Sequence, residues 1–592
     1  MEKTLKLKQL RKEMEKRGIS AAIIPSGDPH LSEYVAEHWR TRAWLSGFTG
    51  SAGTVVVTET DAGLWTDSRY FLQAERELEG TGIRLFKMGT PGVPTSEDWL
   101  LEQLNKKSIV GVDTRLFSYN QLIGLEDKLY EKKITIAHTQ GIGSKGWETR
   151  PRLPKEPIII HPEEIAGETM IVKLTTIRAK MEEAKATSYI ITALDEIAWL
   201  FNLRGSDVAY NPVFYAYAIV FTNRVALFID SAKVSPTVMR MLNNHAIEIF
   251  DYDEIIDFVK DFKKKERILV DPAKTNFALA NTIPSSCKIV WQSSPIALAK
   301  ACKTEIELEG IRNAMINDGV AMVEVLQWIE QTVGKETITE ITVEEKLRNC
   351  RSRQPYFVGE SFGSIVGYAE HGAIVHYSAT PETASEIHPK SFLLIDSGGQ
   401  YQSGTTDITR TIHLAAPTEQ EKEDYTLVLK GMIGLARAVF TPNTRGSNLD
   451  MLARQPLLAQ QRNYGHGTGH GVGFFLNVHE GPQSIRMEEN SVTIQPGMVC
   501  SDEPGLYRSG MYGIRIENLI ACVPAGTTEF GTFNKWETLT LCPIDLKPVN
   551  KALLSTEEVE WLNGYHQRVF DTLAPRLVPE LKDWLEKKTK AI

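Results

Sequence analysis

The sequence predicts an α/β (α+β) protein in which two similar N-terminal α/β domains precede a larger domain that carries the chemistry. Three observations lead there. One order of helix, β-run, helix and β-hairpin is used twice in the first 300 residues. A stretch rich in proline and glycine separates the two copies. Seven of the 13 histidines (His371, His376, His388, His413, His466, His470 and His479) crowd into one segment of the last third.

The first copy opens with a charged helical stretch from Leu7 to Gly18, followed by the apolar run Ala21-Ala22-Ile23-Ile24 and the segment Ala43-Trp44-Leu45. The second copy places Ile177-Arg178-Ala179-Lys180-Met181-Glu182, Tyr189-Ile190-Ile191 and Ala198-Trp199-Leu200 in the same order. Each copy continues into a pair of β-runs, Val55-Val56-Val57 with Leu64-Trp65-Thr66, and Ala218 to Phe221 with Leu227-Phe228-Ile229. Such alternation of helical and extended periodicity describes a small α/β unit, and its recurrence points to a repeat.

Gly141 to Gly146, followed by Pro151, Pro154, Pro157 and Pro162, form a breaker-rich linker near residue 160. Thr304 with Glu307 three residues on is a capping box. It opens an amphipathic helix whose apolar positions Leu308, Ile311, Met315, Met322, Leu326 and Ile329 keep helical spacing. A second capping box is expected at Thr342 to Glu345, and short β-runs with glycine turns after Tyr377. The expected domains are residues 1–160, 161–302 and 303–592.

Composition excludes several classes. With 75 acidic and 66 basic residues the net charge is −9, which argues against nucleic acid as a partner. No apolar run approaches the roughly 20 residues of a membrane span, and the start lacks the apolar core of a signal peptide. Six cysteines without CxxC spacing are expected to be free thiols in a reducing cytoplasm.

The chemistry-bearing residues lie at the ends of β-runs. Phe392-Leu393-Leu394-Ile395 delivers Asp396, and Asp407 lies on the returning run, whose Thr409 and Thr411 share a face opposite Ile408 and Ile412. Val499-Cys500 leads to Glu503-Pro504-Gly505, and one strand is expected from Gly513 to Leu519, with Arg515 and Glu517 on one face. Gly465-His466-Gly467-Thr468-Gly469-His470-Gly471-Val472-Gly473 has five glycines in nine residues, so it is not a zinc-binding helix but a backbone able to approach a ligand closely. Two aspartates, two glutamates and one histidine form an oxygen-rich set for two divalent ions, which would neutralise carboxylates that otherwise repel. The donors favour Mn²⁺, with Co²⁺, Fe²⁺ and Zn²⁺ also compatible.

The ordered set His376-Tyr377, Asp396-Ser397-Gly398, Gly404-Thr405-Thr406-Asp407, His466 to Gly473, Val478-His479-Glu480-Gly481-Pro482, Asp502-Glu503-Pro504-Gly505 and Gly513 to Asn518 resembles aminopeptidase P, the Xaa-Pro aminopeptidases of the pita-bread metallopeptidases. Ala193 to Asp207 is similar to the middle domain of the long, three-domain cytosolic branch. The resemblance implies a pita-bread catalytic domain with a C-terminal extension, and a dinuclear Mn²⁺ site held by Asp396, Asp407, His470, Glu503 and Glu517, with Asp407 and Glu517 bridging. It further implies that a hydroxide shared by the two cations attacks the carbonyl before proline while Glu503 takes its proton. His376 and His479 would stabilise the oxyanion or shuttle protons, and His466 would contact the proline side. Arg515 and Tyr507 would orient neighbouring groups, and Phe362 is the expected wall of the proline pocket. Peptides with proline at position two are the implied substrates, and a homodimer through the C-terminal domain the implied assembly.

His371 has no counterpart in that pattern and is expected at the surface. Three further readings compete. Gly359-Glu360-Ser361-Phe362-Gly363 fits the G-x-S-x-G of a serine hydrolase, with Asp396 and His470 following, but the β-branched, glycine-containing stretch after Ser361 is a poor helix. A peptide-binding module of the same fold would lack the metal ligands, yet all five ligand types are present. A prolidase, restricted to Xaa-Pro dipeptides, would share the metal site.

Overall fold

The computed structural model describes residues 2–592. It divides into two compact units, Met1–His161 with Glu168–Ile296, and Pro162–Gly167 with Ala297–Ile592.

The first unit contains two six-stranded mixed sheets of one topology. In the first, the order is Arg84–Lys87, Ala62–Thr66, Thr54–Thr58, Ala21–Pro25, Ile109–Val112 and Thr135–His138. In the second it is Ile247–Phe250, Val225–Ile229, Ala216–Phe221, Ser188–Ile191, Arg267–Val270 and Lys288–Trp291. In each, the opening strand pairs antiparallel with the hairpin and parallel with the fifth strand, so the repeat read from the sequence is a repeat of fold. Alternate residues of the first sheet feed opposite cores. Ala22, Ile24, Val55, Val57 and Leu64 pack with the N-terminal helix Glu2–Arg17, whereas Ala21, Ile23, Val56 and Trp65 pack with Trp99, Leu122 and Leu125. A sheet covered on both faces requires such near-continuous apolar strands.

The second unit is organised on the helix Glu305–Thr332, which begins at the predicted capping box: Thr304 caps the Glu307 N–H and the Glu307 carboxylate accepts from Thr304 N–H. All six predicted apolar positions are buried. Met322, Leu326 and Ile329 pack against Leu393 and Ile395 of the strand Phe392–Ser397, which turns Asp396 to the opposite face. That strand lies between Ile365–Tyr368 and Ile408–His413. A second sheet runs Val439–Phe440, Gly531–Thr538, Asn518–Thr528 and Val499–Asp502, and Gly505–Arg508 pairs with Tyr512–Arg515 in a hairpin.

Two predicted boundaries are corrected. The second helix starts at Glu340, capped by Thr339, with Thr342 as the reciprocal partner where a cap was expected. The expected strand Gly513 to Leu519 is broken at Ile516 and Glu517, because the Glu517 N–H bonds to Thr409 O (3.1 Å) and the chain passes from the hairpin into the four-stranded sheet. All six cysteines are free, and among the described residues no helix is long and apolar enough to cross a membrane.

Candidate metal centre

Three chain crossings bring the predicted carboxylates together. Asp396 ends the strand Phe392–Ser397 and pairs with Thr409 of the neighbouring strand, just after Asp407. Glu503 follows the strand Val499–Asp502, and Glu517 lies in the break where the chain changes sheets. His470 sits in the two-residue strand Gly469–His470, set against Ser484–Ile485. The glycines around it are required by contact: a Cβ on Gly469 would stand 2.0 Å from Ser501 O, and one on Gly471 would stand 1.9 Å from Glu480 O.

One ligand atom each from Asp407, His470 and Glu517 lies within 4.8 Å of the others. His470 Nε2 stands 3.4 Å from Asp407 Oδ2 and 3.7 Å from Glu503 Oε1. Its Nδ1–H donates to Gly471 O at 2.9 Å, so Nε2 is the nitrogen that faces the carboxylates, where it bears a proton in the metal-free cluster and offers its lone pair to a cation once that proton leaves. Asp396 Oδ1 is buried without a hydrogen-bond partner, while Oδ2 accepts from Arg515 Nη2 at 2.5 Å. An orphaned carboxylate oxygen among four carboxylates and an oriented imidazole is a donor set suited to divalent cations.

The electrostatics make the same point. Burial pushes Glu503 up to about 7, with Asp407 and Asp396 adding to it against His470 and Arg515. Burial likewise raises Glu517 well above the usual carboxylate range, reinforced by Asp407, Asp396 and Glu503. Asp396 is raised by burial, with Arg515 opposing. For His470 burial acts downward, but the Asp407 hydrogen bond and the charges of Glu503 and Asp407 outweigh it and raise the imidazole to about 9. The metal-free cluster therefore holds protons in place of cations.

Around these five residues the predicted helpers form a chain. Arg515 Nη1 donates to Tyr507 Oη at 2.7 Å, and Tyr507 Oη is 2.7 Å from His466 Nε2. His466 Nδ1 donates to Gly467 O at 2.7 Å. Tyr507 is thus joined to two predicted site residues. The His479 ring lies edge-on to that of His470, centroids 4.3 Å apart. His376 follows Val375, whose carbonyl lies 3.5 Å from Arg515 Nη2. Phe362 is buried in the turn before Ile365, the residue paired with Asp396.

His371 is corrected: it is 7% exposed, not at the surface, and its Nδ1 donates to Glu340 at 2.9 Å. Ser361 is wholly buried, donates to Thr406 O at 2.8 Å, and is followed by the strand Ile365–Tyr368 where a nucleophile elbow needs a helix.

Some supporting residues were not foreseen. Thr409 donates to Glu517 Oε2 at 2.8 Å. Asp450 accepts from Thr468 Oγ1 and from Arg454, whose guanidinium also binds the carbonyls of Tyr464 and His466 and so ties down the glycine-rich loop. Glu480, next to His479, is buried between Lys300 and Lys303, each at 2.7 Å. Thr409 was visible as a polar residue alternating with isoleucines, but its partner 108 positions away was not.

Comparison with known proteins agrees with this geometry. Residues 309–524 match metallopeptidase family M24, residues 532–592 the C-terminal region of peptidase M24, and residues 6–142 and 149–307 each a creatinase/prolidase N-terminal domain. The chain is 41% identical to aminopeptidase P2 of Arabidopsis thaliana, over 97% of this chain and 86% of that one. It is 40% identical to a probable Xaa-Pro aminopeptidase P of Aspergillus fumigatus, over 100% and 93%. The crystal structure of X-prolyl aminopeptidase from Caenorhabditis elegans, described as a cytosolic enzyme with a di-nuclear active site, superposes with a TM-score of 0.96 at 34% identity, covering 100% of both chains. With two creatinase-type N-terminal domains, a pita-bread domain and a cluster of four carboxylates and a histidine, the chain belongs to the aminopeptidase P family of M24 metallopeptidases.

Proposed function

We propose that the protein is a metal-dependent aminopeptidase that releases the first residue from peptides with proline at position two. The observation that carries this reading is the convergence of buried Asp396, Asp407 and Glu517 with half-buried His470 and Glu503 on one cluster, with ligand atoms of Asp407, His470 and Glu517 within 4.8 Å of one another. These five residues would hold two divalent cations. The oxygen-rich, thiolate-free donor set favours Mn²⁺ over Zn²⁺. When bound, two such cations would polarise a carbonyl and bring the pKa of bound water down toward neutrality.

The chain's own residues supply the rest. Glu503, whose Oε1 stands 3.7 Å from His470 Nε2 at the half-buried edge of the cluster, would take the proton of the attacking water. His376 and His479 stabilise the oxyanion or pass a proton to the leaving proline nitrogen, and His466 contacts the proline side. Arg515 holds Asp396 and Tyr507 together, and through Tyr507 orients His466. Phe362 forms an apolar wall for the proline ring. The enzyme works in the cytoplasm as a homodimer formed through its C-terminal domain.

Titrating metal-stripped protein with Mn²⁺ tests the reading. Release of arginine from Arg-Pro-Pro should saturate at two equivalents per chain; saturation at one, or turnover without metal, would contradict it.

A further inference from the structure

Glu340 is wholly buried at the first position of the helix Glu340–Ser352, and its carboxylate gathers four donors from the segment 368–385. Oε1 accepts from Tyr368 N–H at 2.8 Å and from His371 Nδ1 at 2.9 Å. Oε2 accepts from Tyr377 Oη at 2.9 Å and from Ser385 N–H at 2.8 Å. A carboxylate has about four lone-pair sites, so its acceptor capacity is filled, and the positive end of a helix favours a negative charge at this position. The donors run from Tyr368, the last residue of the strand Ile365–Tyr368, through the short 3-10 turn Ala369–Ala373 to Ser385 in the irregular chain beyond it. The ring of His371 stacks on that of Tyr377 at 4.4 Å, closing the cluster.

The same segment is gripped from its other side. Gly372 lies flush against Gly513, where a Cβ would stand 1.7 Å from Gly372 O, and Gly513 is on the strand that carries Arg515. Arg515 Nη2 in turn reaches Val375 O at 3.5 Å. The residue before His376 is thus in contact with the arginine of the metal centre, and the residue after it is hydrogen-bonded to Glu340.

We infer that Glu340, through Tyr377 and His371, is the positioning residue for His376. It rests on the reading of His376 as part of the catalytic machinery. Glu340 lies on a helix outside the carboxylate cluster, and its role is to hold the 371–377 turn in the one conformation that sets His376 beside the scissile bond.

A double-mutant cycle tests this. Tyr377→Phe keeps the stacked ring and removes the hydroxyl that donates to Glu340 and, at 3.2 Å, to Thr383 O, and Glu340→Gln keeps the volume but turns an amide donor against the donors around it. Measured on Arg-Pro-Pro, each should lower kcat about tenfold to a hundredfold, the usual cost of losing a group that orients a catalytic residue. KM and bound metal should be unchanged. In the His376→Ala background the same substitutions should cost nothing further. If the Tyr377→Phe loss persists in full without His376, or if both variants are as active as the parent, the inference is overturned. A fully active His376→Ala enzyme would instead overturn the role of His376 itself, and this inference with it. Should Glu340→Gln fail to fold, Tyr377→Phe carries the test alone.

Discussion

Thr409 and Glu517 are bonded twice: the threonine hydroxyl donates to Glu517 Oε2 at 2.8 Å, and the threonine carbonyl accepts the Glu517 N–H at 3.1 Å. One residue therefore both ends the strand that would have continued through Glu517 and aims the carboxylate freed by that break. Thr409→Val preserves shape and the backbone bond while deleting the hydroxyl. Its expected effect is a loss of about tenfold to a hundredfold in metal affinity or turnover, read by metal titration followed by activity, with far-UV circular dichroism unchanged.

Glu503→Gln removes the proposed proton acceptor and one carboxylate from the cluster at nearly constant volume. The turnover of Arg-Pro-Pro should fall by about a thousandfold, within the range general-base catalysis supplies. A folded, metal-loaded Glu503→Gln enzyme with more than a tenth of the parent rate would remove Glu503 from that role.

The raised groups give metal-free protein a pH dependence of definite sign. Glu503 titrates near 7 in the fold against 4.5 for the ordinary group, and His470 near 9 against 6.5. Folded protein thus binds protons more tightly than unfolded protein, so this contribution to stability is full below about 4.5 for Glu503 and about 6.5 for His470. It is lost as pH rises through 7 and 9 respectively. Cations displace the same protons, so binding strengthens over that range. The Tm of stripped protein should fall from pH 5 to pH 8 relative to the Mn²⁺-loaded form, and calorimetric titration in buffers of different ionisation enthalpy should register proton release.

Arg410 is wholly buried and donates to the carbonyls of Thr409, Glu517, Cys542 and Pro543, to Asn518 Oδ1 and to Tyr565 Oη. It ties the helix Thr556–Leu573 to the backbone of Glu517, one of the proposed metal ligands. Arg410→Met would leave several buried acceptors unpaired at roughly 1–3 kcal/mol each. A destabilisation of at least about 3 kcal/mol is expected in urea unfolding.

Ser361→Ala separates the metal mechanism from a serine hydrolase. The hydroxyl binds only the Thr406 carbonyl among its described partners, so turnover should stay within a few-fold of the parent. A dead but folded and metal-loaded variant would restore Ser361 as a nucleophile.

The parts of this molecule legible in its sequence are those set by local pattern. The Thr304 capping box, the buried face from Leu308 to Ile329 and the carboxylates at strand ends all follow from spacing within a few residues. What escaped depends on partners far along the chain. His371 reads as a surface histidine until Glu340, 31 positions earlier, is found beneath it. Glu480 reads as an ordinary motif neighbour until Lys303, 177 positions away, is seen against it. The strand from Gly513 to Leu519 has unbroken β-periodicity, and only the bond between Glu517 and Thr409 interrupts it.

The central claim is tested most directly by offering metal-stripped protein Arg-Pro-Pro, Arg-Ala-Ala and Arg-Pro, each with and without Mn²⁺. Mn²⁺-dependent release of arginine from Arg-Pro-Pro, with Arg-Ala-Ala untouched, is the predicted result. Hydrolysis confined to Arg-Pro would mean a prolidase, and hydrolysis of any of the three without metal would contradict the account.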